Sequence, residues 1–204
     1  MNKKYLCIGL GIAVVVIGGI FLFSRNNPAF LVRSEYVSAD TPDLSEVSAT
    51  QTVELKDGDT YDLTARYVKK NINGKEYRML AYNGSIPGPT IRVPKGAQIS
   101  VNFTNNTDVP STIHSHGIRM DNQFDGVENV TQKAVEVGQK FTYKLKFPDV
   151  GIYFYHPHIR EDYAQELGLY GSFIVVPENN DYWTEVDREE TLFLDDILIE
   201  NGRI

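Results

Sequence analysis

The sequence predicts an all-β fold, a Greek-key β-sandwich or small barrel, preceded by an N-terminal transmembrane helix. Three observations carry this. From residue 51 onward, short runs rich in β-branched and aromatic residues are punctuated by Gly, Pro and Asn. Tyr143, Leu145 and Phe147 alternate with Lys144 and Lys146, the pattern of a strand buried on one face. The only long apolar run is Tyr5 to Phe23, which contains no charged residue.

That run covers about 28 Å at helical rise, close to the thickness of a bilayer's hydrocarbon core. Lys3 and Lys4 precede it, and Phe21-Leu22-Phe23-Ser24-Arg25 offers no small-residue cleavage site. Residues 1–23 therefore read as an uncleaved anchor in preference to a cleaved signal. The two lysines would stay cytoplasmic, and the rest would be extracytoplasmic, on the periplasmic or cell-surface side. A cleaved segment would make the protein secreted. Residues 24–50 are polar, contain Pro28 and Pro42, and read as a flexible linker.

Candidate strands follow at 52–56, 61–72, 75–82, 90–93, 98–104, 112–116, 140–147, 151–156 and 172–176. Turn signals separate them at Asp57-Gly58-Asp59, Asn73-Gly74, Pro87-Gly88-Pro89 and Asp149-Val150-Gly151. One short helical turn is expected over 161–167. Residues 51–180 make one domain. Residues 191–194 and 197–199 look like a fresh strand, so 181–204 is expected to open a truncated second domain, with the chain the front part of a longer one.

Composition narrows the function. A formal charge of −7 argues against nucleic acid, which demands a basic face. The single cysteine, Cys7, lies in the apolar run, which excludes a disulfide framework and leaves no thiolate for a metal in the domain. All four histidines fall in two tripeptides, His114-Ser115-His116 and His156-Pro157-His158. Residues i and i+2 of a strand share a face, so each pair presents two imidazoles side by side. Imidazoles without thiolate suit copper or zinc, and the affinity order favours copper. A zinc site with three His, a cupin and a copper oxidase all remain compatible with paired H-x-H on strands. A cupin would carry a Glu shortly after H-x-H, where this chain has Gly117-Ile118-Arg119-Met120-Asp121.

The surrounding residues distinguish these. Tyr82 to Ile91 (YNGSIPGPTI) resembles the N-terminal signature of multicopper oxidases, the laccase-like enzymes. So do His114–Gly117 (HSHG) with Asp125-Gly126-Val127 and Thr131-Gln132, Gly151–His158 (GIYFYHPH), and Gly168–Val175 (GLYGSFIV). Order and spacing match over residues 51–177. The resemblance implies a cupredoxin (plastocyanin-like) domain and an enzyme that oxidises a one-electron donor and reduces dioxygen to water. It implies that His114 is a ligand of the type 2 copper, and that His116, His156 and His158 serve the type 3 pair. Asp125 matches the family's carboxylate that orients water and aids proton delivery, although an Asp-Gly turn explains the same dipeptide. Ser115 and Pro157 replace the commoner Trp and Ser between the histidines, and Glu128-Asn129 departs from the usual Pro. The family's cluster uses eight histidines and a separate type 1 copper with a Cys ligand. This chain offers four and no such Cys, so further cupredoxin domains, in the same polypeptide or a homo-oligomer, would have to complete it. The 204 residues alone are then expected to be inactive. A non-enzymatic exported copper carrier is the alternative class.

Overall fold

The computed structural model describes residues 43–179, 182–199 and 204. The expected anchor and residues 24–42 of the expected linker lie outside them. Among the described residues, no helix is long and apolar enough to cross a membrane.

Nine strands form: β1 (Thr52–Glu54), β2 (Thr60–Ile72), β3 (Lys75–Tyr82), β4 (Thr90–Pro94), β5 (Gln98–Asn106), β6 (His114–His116), β7 (Lys140–Lys146), β8 (Gly151–His156) and β9 (Gly171–Val176). Every candidate strand in 51–180 is present, each end within two residues of its expected place. The expected helical turn is the single-turn helix α1 (Glu161–Ala164). The strands build two sheets, β1-β4-β9-β8-β6 and β3-β2-β5-β7. Parallel pairings of β1 with β4, β4 with β9 and β2 with β5 require crossings between distant parts of the chain, as in a Greek key.

The core fills the space between the sheets. From one side come Leu63, Leu80, Tyr82, Ile99, Phe103, Tyr143 and Leu145; from the other come Ile91, Val93, Tyr155, Phe173 and Val175. Period-2 alternation does the sorting: in β7 Tyr143 and Leu145 are buried while Lys140, Lys144 and Lys146 stay in water. Lysines along this sheet edge also discourage pairing with another chain. Asn105, fully buried at the end of β5, donates to the carbonyls of Val109 and Val135 at 2.8 Å each. It accepts from the Thr107 amide and hydroxyl, at 3.1 and 2.8 Å, which leaves no amide group unpaired. This pins the loop that leads into β6.

Two sequence expectations change. Residues 45–48, expected in the flexible linker 24–50, are instead tied to the domain. The Val47 amide donates to Lys69 O and the Lys69 amide to Ser45 O, at 2.9 and 3.0 Å, and the Ser48 amide donates to Gly84 O at 2.8 Å. The reason is the outer face of β2 and β3. Val68, Tyr77, Met79 and Ala81 form a second apolar cluster there, and Val47 helps to cover it. The second change concerns 191–199, which forms no strand among the described residues. An extended segment becomes a strand only where a neighbour takes its backbone hydrogen bonds, and none pairs with it here. Its side chains make separate contacts instead. Phe193 lies 5.4 Å from the Tyr170 ring, Asp195 accepts from the Tyr170 hydroxyl at 2.7 Å, and Ile197 and Ile199 pack on the outer cluster.

Candidate metal centre

β6 and the end of β8 run antiparallel, with His114 directly opposite His156 and His116 opposite Phe154. Directly opposed side chains on one face stand about 5 Å apart at Cβ, so pairing alone brings the two tripeptides together. Ser115, between the first two imidazoles, is buried on the other face. Pro157 ends the ladder, and His158 is held by its amide, which donates to Thr112 Oγ1 at 3.2 Å.

The structure assembles all four predicted histidines. The His114 ring lies 5.4, 5.4 and 5.3 Å from those of His116, His156 and His158. One ring nitrogen each from His114, His116 and His156 falls within 4.8 Å of the others. His158 stands on the rim, 6.3 Å from His156. Geometry thus groups His114 with His116 and His156, a division that cuts across the type 2 and type 3 sets implied by resemblance.

Hydrogen bonds orient these rings. His114 Nδ1 faces the carbonyl of Asp125 at 2.6 Å. A carbonyl only accepts, so Nδ1 carries the proton and Nε2 keeps a free lone pair. His156 Nδ1 likewise donates to Pro157 O at 2.8 Å. His158 Nδ1 lies 3.4 Å from a carboxylate oxygen of Glu161, in the first turn of α1. Burial holds the His156 imidazole below its usual pKa; the Pro157 hydrogen bond opposes this, and the neighbouring His114 and His116 add to it. A neutral imidazole is the form that binds a metal. His156 Nε2 is buried without any hydrogen-bond partner. Such an orphaned atom costs about 1–3 kcal/mol, and a cation shared with the adjacent imidazoles would satisfy it.

Asp125 lies beside His114, and its shortest contact there is main chain. It closes the short 3-10 turn Asn122–Phe124, its amide donating to Asn122 O at 3.1 Å. Its carboxylate Oδ1 is 3.4 Å from His114 Nδ1. Asp125 thus both closes a turn and faces His114. Gly126 explains why the loop comes so close. Its φ is +78°, and a Cβ there would collide with the Ile113 carbonyl and lie 2.9 Å from the backbone nitrogen of His114.

Sequence reasoning missed three contributors. Phe154 lies beside both His116 and His156 with ring planes inclined by 25° and 14°, at 4.9 and 4.6 Å between ring centres. Glu161 and Thr112 hold His158. The alternation of β8 puts Phe154 on the His156 face and was a usable signal. The contacts of Glu161 and Thr112 depend on how the chain turns after His158.

Comparison with known proteins places the chain in a family. The multicopper oxidase family model matches residues 64–180. A multicopper oxidase of Talaromyces pinophilus is 36% identical over 123 residues, 59% of this chain and 20% of its own length. Copper resistance protein A of Pseudomonas syringae pv. tomato is 27% identical over 184 residues, 90% of this chain and 27% of its own. The chain therefore spans about a quarter of such relatives. The solved blue copper oxidase of Nitrosomonas europaea superposes with a TM-score of 0.58 at 37% identity, over 61% of this chain and 40% of that one. With two sheets of the expected topology, paired H-x-H strands and a family model spanning the domain, this chain belongs to the multicopper oxidase family.

Proposed function

We propose that His114, His116, His156 and His158 supply this domain's share of the ligands of a copper cluster, at which the whole enzyme reduces dioxygen to water. The observation that carries this is His156 Nε2, buried and without a hydrogen-bond partner among the described residues, beside nitrogens of His114 and His116. The donor set fits copper: imidazoles throughout, with no thiolate and with carboxylates one step removed. Following the family resemblance, His114 belongs to the type 2 ion and His116, His156 and His158 to the type 3 pair.

Bound copper supplies one-electron transfer, through which a reducing donor's electrons reach dioxygen. The chain's residues do the rest. His114 and His156 present Nε2 because carbonyls hold their Nδ1 protons. The Asp125 carboxylate, beside His114, holds and releases a proton at Oδ1 as oxygen atoms take up protons. Further cupredoxin domains, in the same polypeptide or another subunit, bring the remaining histidines and the type 1 site. The charge-free Tyr5–Phe23 stretch behind Lys3 and Lys4 supports an extracytoplasmic, membrane-anchored location.

Copper titration of the full chain tests the reading. His114→Ala and His158→Ala should each weaken binding at least tenfold, about 1.4 kcal/mol. Unchanged affinity in both variants refutes a shared site.

A further inference from the structure

The four histidines are not held alike. His114 and His156 are fixed by carbonyls, and His158 faces a carboxylate. His116 is exposed, and no side-chain hydrogen bond holds it among the described residues. What it has is Phe154. The two rings lie 4.9 Å apart with planes inclined by 25°, and Phe154 lies 4.6 Å from His156 at 14°. Phe154 is thus inclined by less than 30° to both imidazoles, the third corner of a triangle of rings whose remaining side, His116 to His156, is 6.0 Å. It reaches His116 through cross-strand pairing and His156 through the i, i+2 spacing of β8.

We infer that Phe154 is a positioning residue that orients His116 by its aromatic face, in the role that carbonyls play for His114 and His156 and a carboxylate for His158. This rests on the copper reading above. Packing does not otherwise call for an aromatic ring here. Phe154 is only partly buried and stands between two open clefts, one of about 320 Å³ shared with His116, Tyr153 and Phe193 and one of about 140 Å³ shared with Gln165 and Tyr170. An aliphatic side chain would fill the same surface but has no flat face, so it could not select one orientation of an imidazole plane. Without that selection, the exposed His116 ring would turn among its rotamers, and each binding event would have to order it again.

The test uses the full chain, first without metal. Ring currents from Phe154 should displace the ring-proton resonances of His116 and His156 in two-dimensional NMR above the imidazole titration range. In Phe154→Leu the His116 signals should move to solvent-like positions while those of His114 stay. Phe154→Tyr and Phe154→Trp should keep them displaced. Copper titration should then show about fivefold weaker binding in Phe154→Leu and recovery to within about twofold in Phe154→Tyr. A cooperative thermal transition checks that each variant is folded. Solvent-like His116 resonances in the unsubstituted protein overturn the inference whether or not any variant folds. So does a folded Phe154→Leu variant with unchanged His116 shifts or copper affinity. Failure of the unsubstituted chain to bind copper overturns the copper reading, and with it the role of Phe154, while the resonances still report whether the ring contact exists.

Discussion

Gly126→Ala is the sharpest perturbation of the loop that carries Asp125. Two costs combine. A residue with a Cβ at φ +78° costs about 1–2 kcal/mol. The new methyl also meets backbone, the Ile113 carbonyl and the His114 nitrogen, instead of a side chain that could swing away. Forced overlap in a packed region adds about 1–3 kcal/mol. The total is about 2–5 kcal/mol, a fall in Tm of roughly 6–15 °C for a domain of this size. Gly138 is the control: its φ is also +78°, but nothing lies within 4 Å of its Cβ position. Gly138→Ala should therefore show only the conformational cost. Thermal unfolding of the metal-free chain followed by circular dichroism measures both. Copper titration adds a second readout, because a loop pushed off Ile113 takes the Asp125 carbonyl away from His114, and only Gly126→Ala should lose affinity. Equal stability losses in the two variants would refute the close approach of this loop to β6.

Three further outcomes are expected. Asp125→Asn keeps the main-chain carbonyl on His114, so the complete enzyme should retain its copper while turnover with dioxygen falls by about a hundredfold; loss of cooperative unfolding instead would make the side chain purely structural. Alkaline pH should destabilise the domain: burial raises Tyr143 and Tyr163 to about 12 when folded, against about 10 unfolded. Their contribution is complete below pH 10 and lost as pH rises towards 12. Absorbance at the phenolate band should accordingly show some of the 12 tyrosines ionising only on unfolding. Residues 24–204 alone should bind copper without intense blue colour and without consuming oxygen from a phenolic or ferrous donor, since Cys7 lies outside that segment; copper-dependent oxygen consumption by it would show the site to be misread.

What the sequence could and could not display follows from the range of each interaction. Strand positions were legible because alternation and turn chemistry are local: the Tyr143/Leu145 face and the Asn73-Gly74 turn each declare themselves within a few residues. That His114 and His116 share a face was legible because strand period 2 puts both ends of H-x-H on one side. The pairing of His114 with His156 was not, since register between segments 42 residues apart belongs to the sheet and not to either strand. The main-chain contact of Asp125 was hidden for another reason: a carbonyl has no sequence identity. Residues 45–48 and 191–199 were misjudged because their fate depends on an apolar outer face of β3 and on the absence of a pairing partner.

The sheet order has a consequence for when the site can exist. β6 joins its sheet only through β8, and β8 reaches β4 and β1 only through β9. As the chain emerges during synthesis, His114 and His116 are made early but have nothing to pair with. Even after His158 appears, the β6–β8 ribbon is an isolated pair of strands, marginal in water. Residues 171–176 must arrive and enter between β8 and β4 before the ribbon is fastened to the rest of the sandwich. Long-range parallel pairing of this kind is slow to form. A nascent chain therefore carries loose imidazoles, and the cluster of four histidines is among the last features to close.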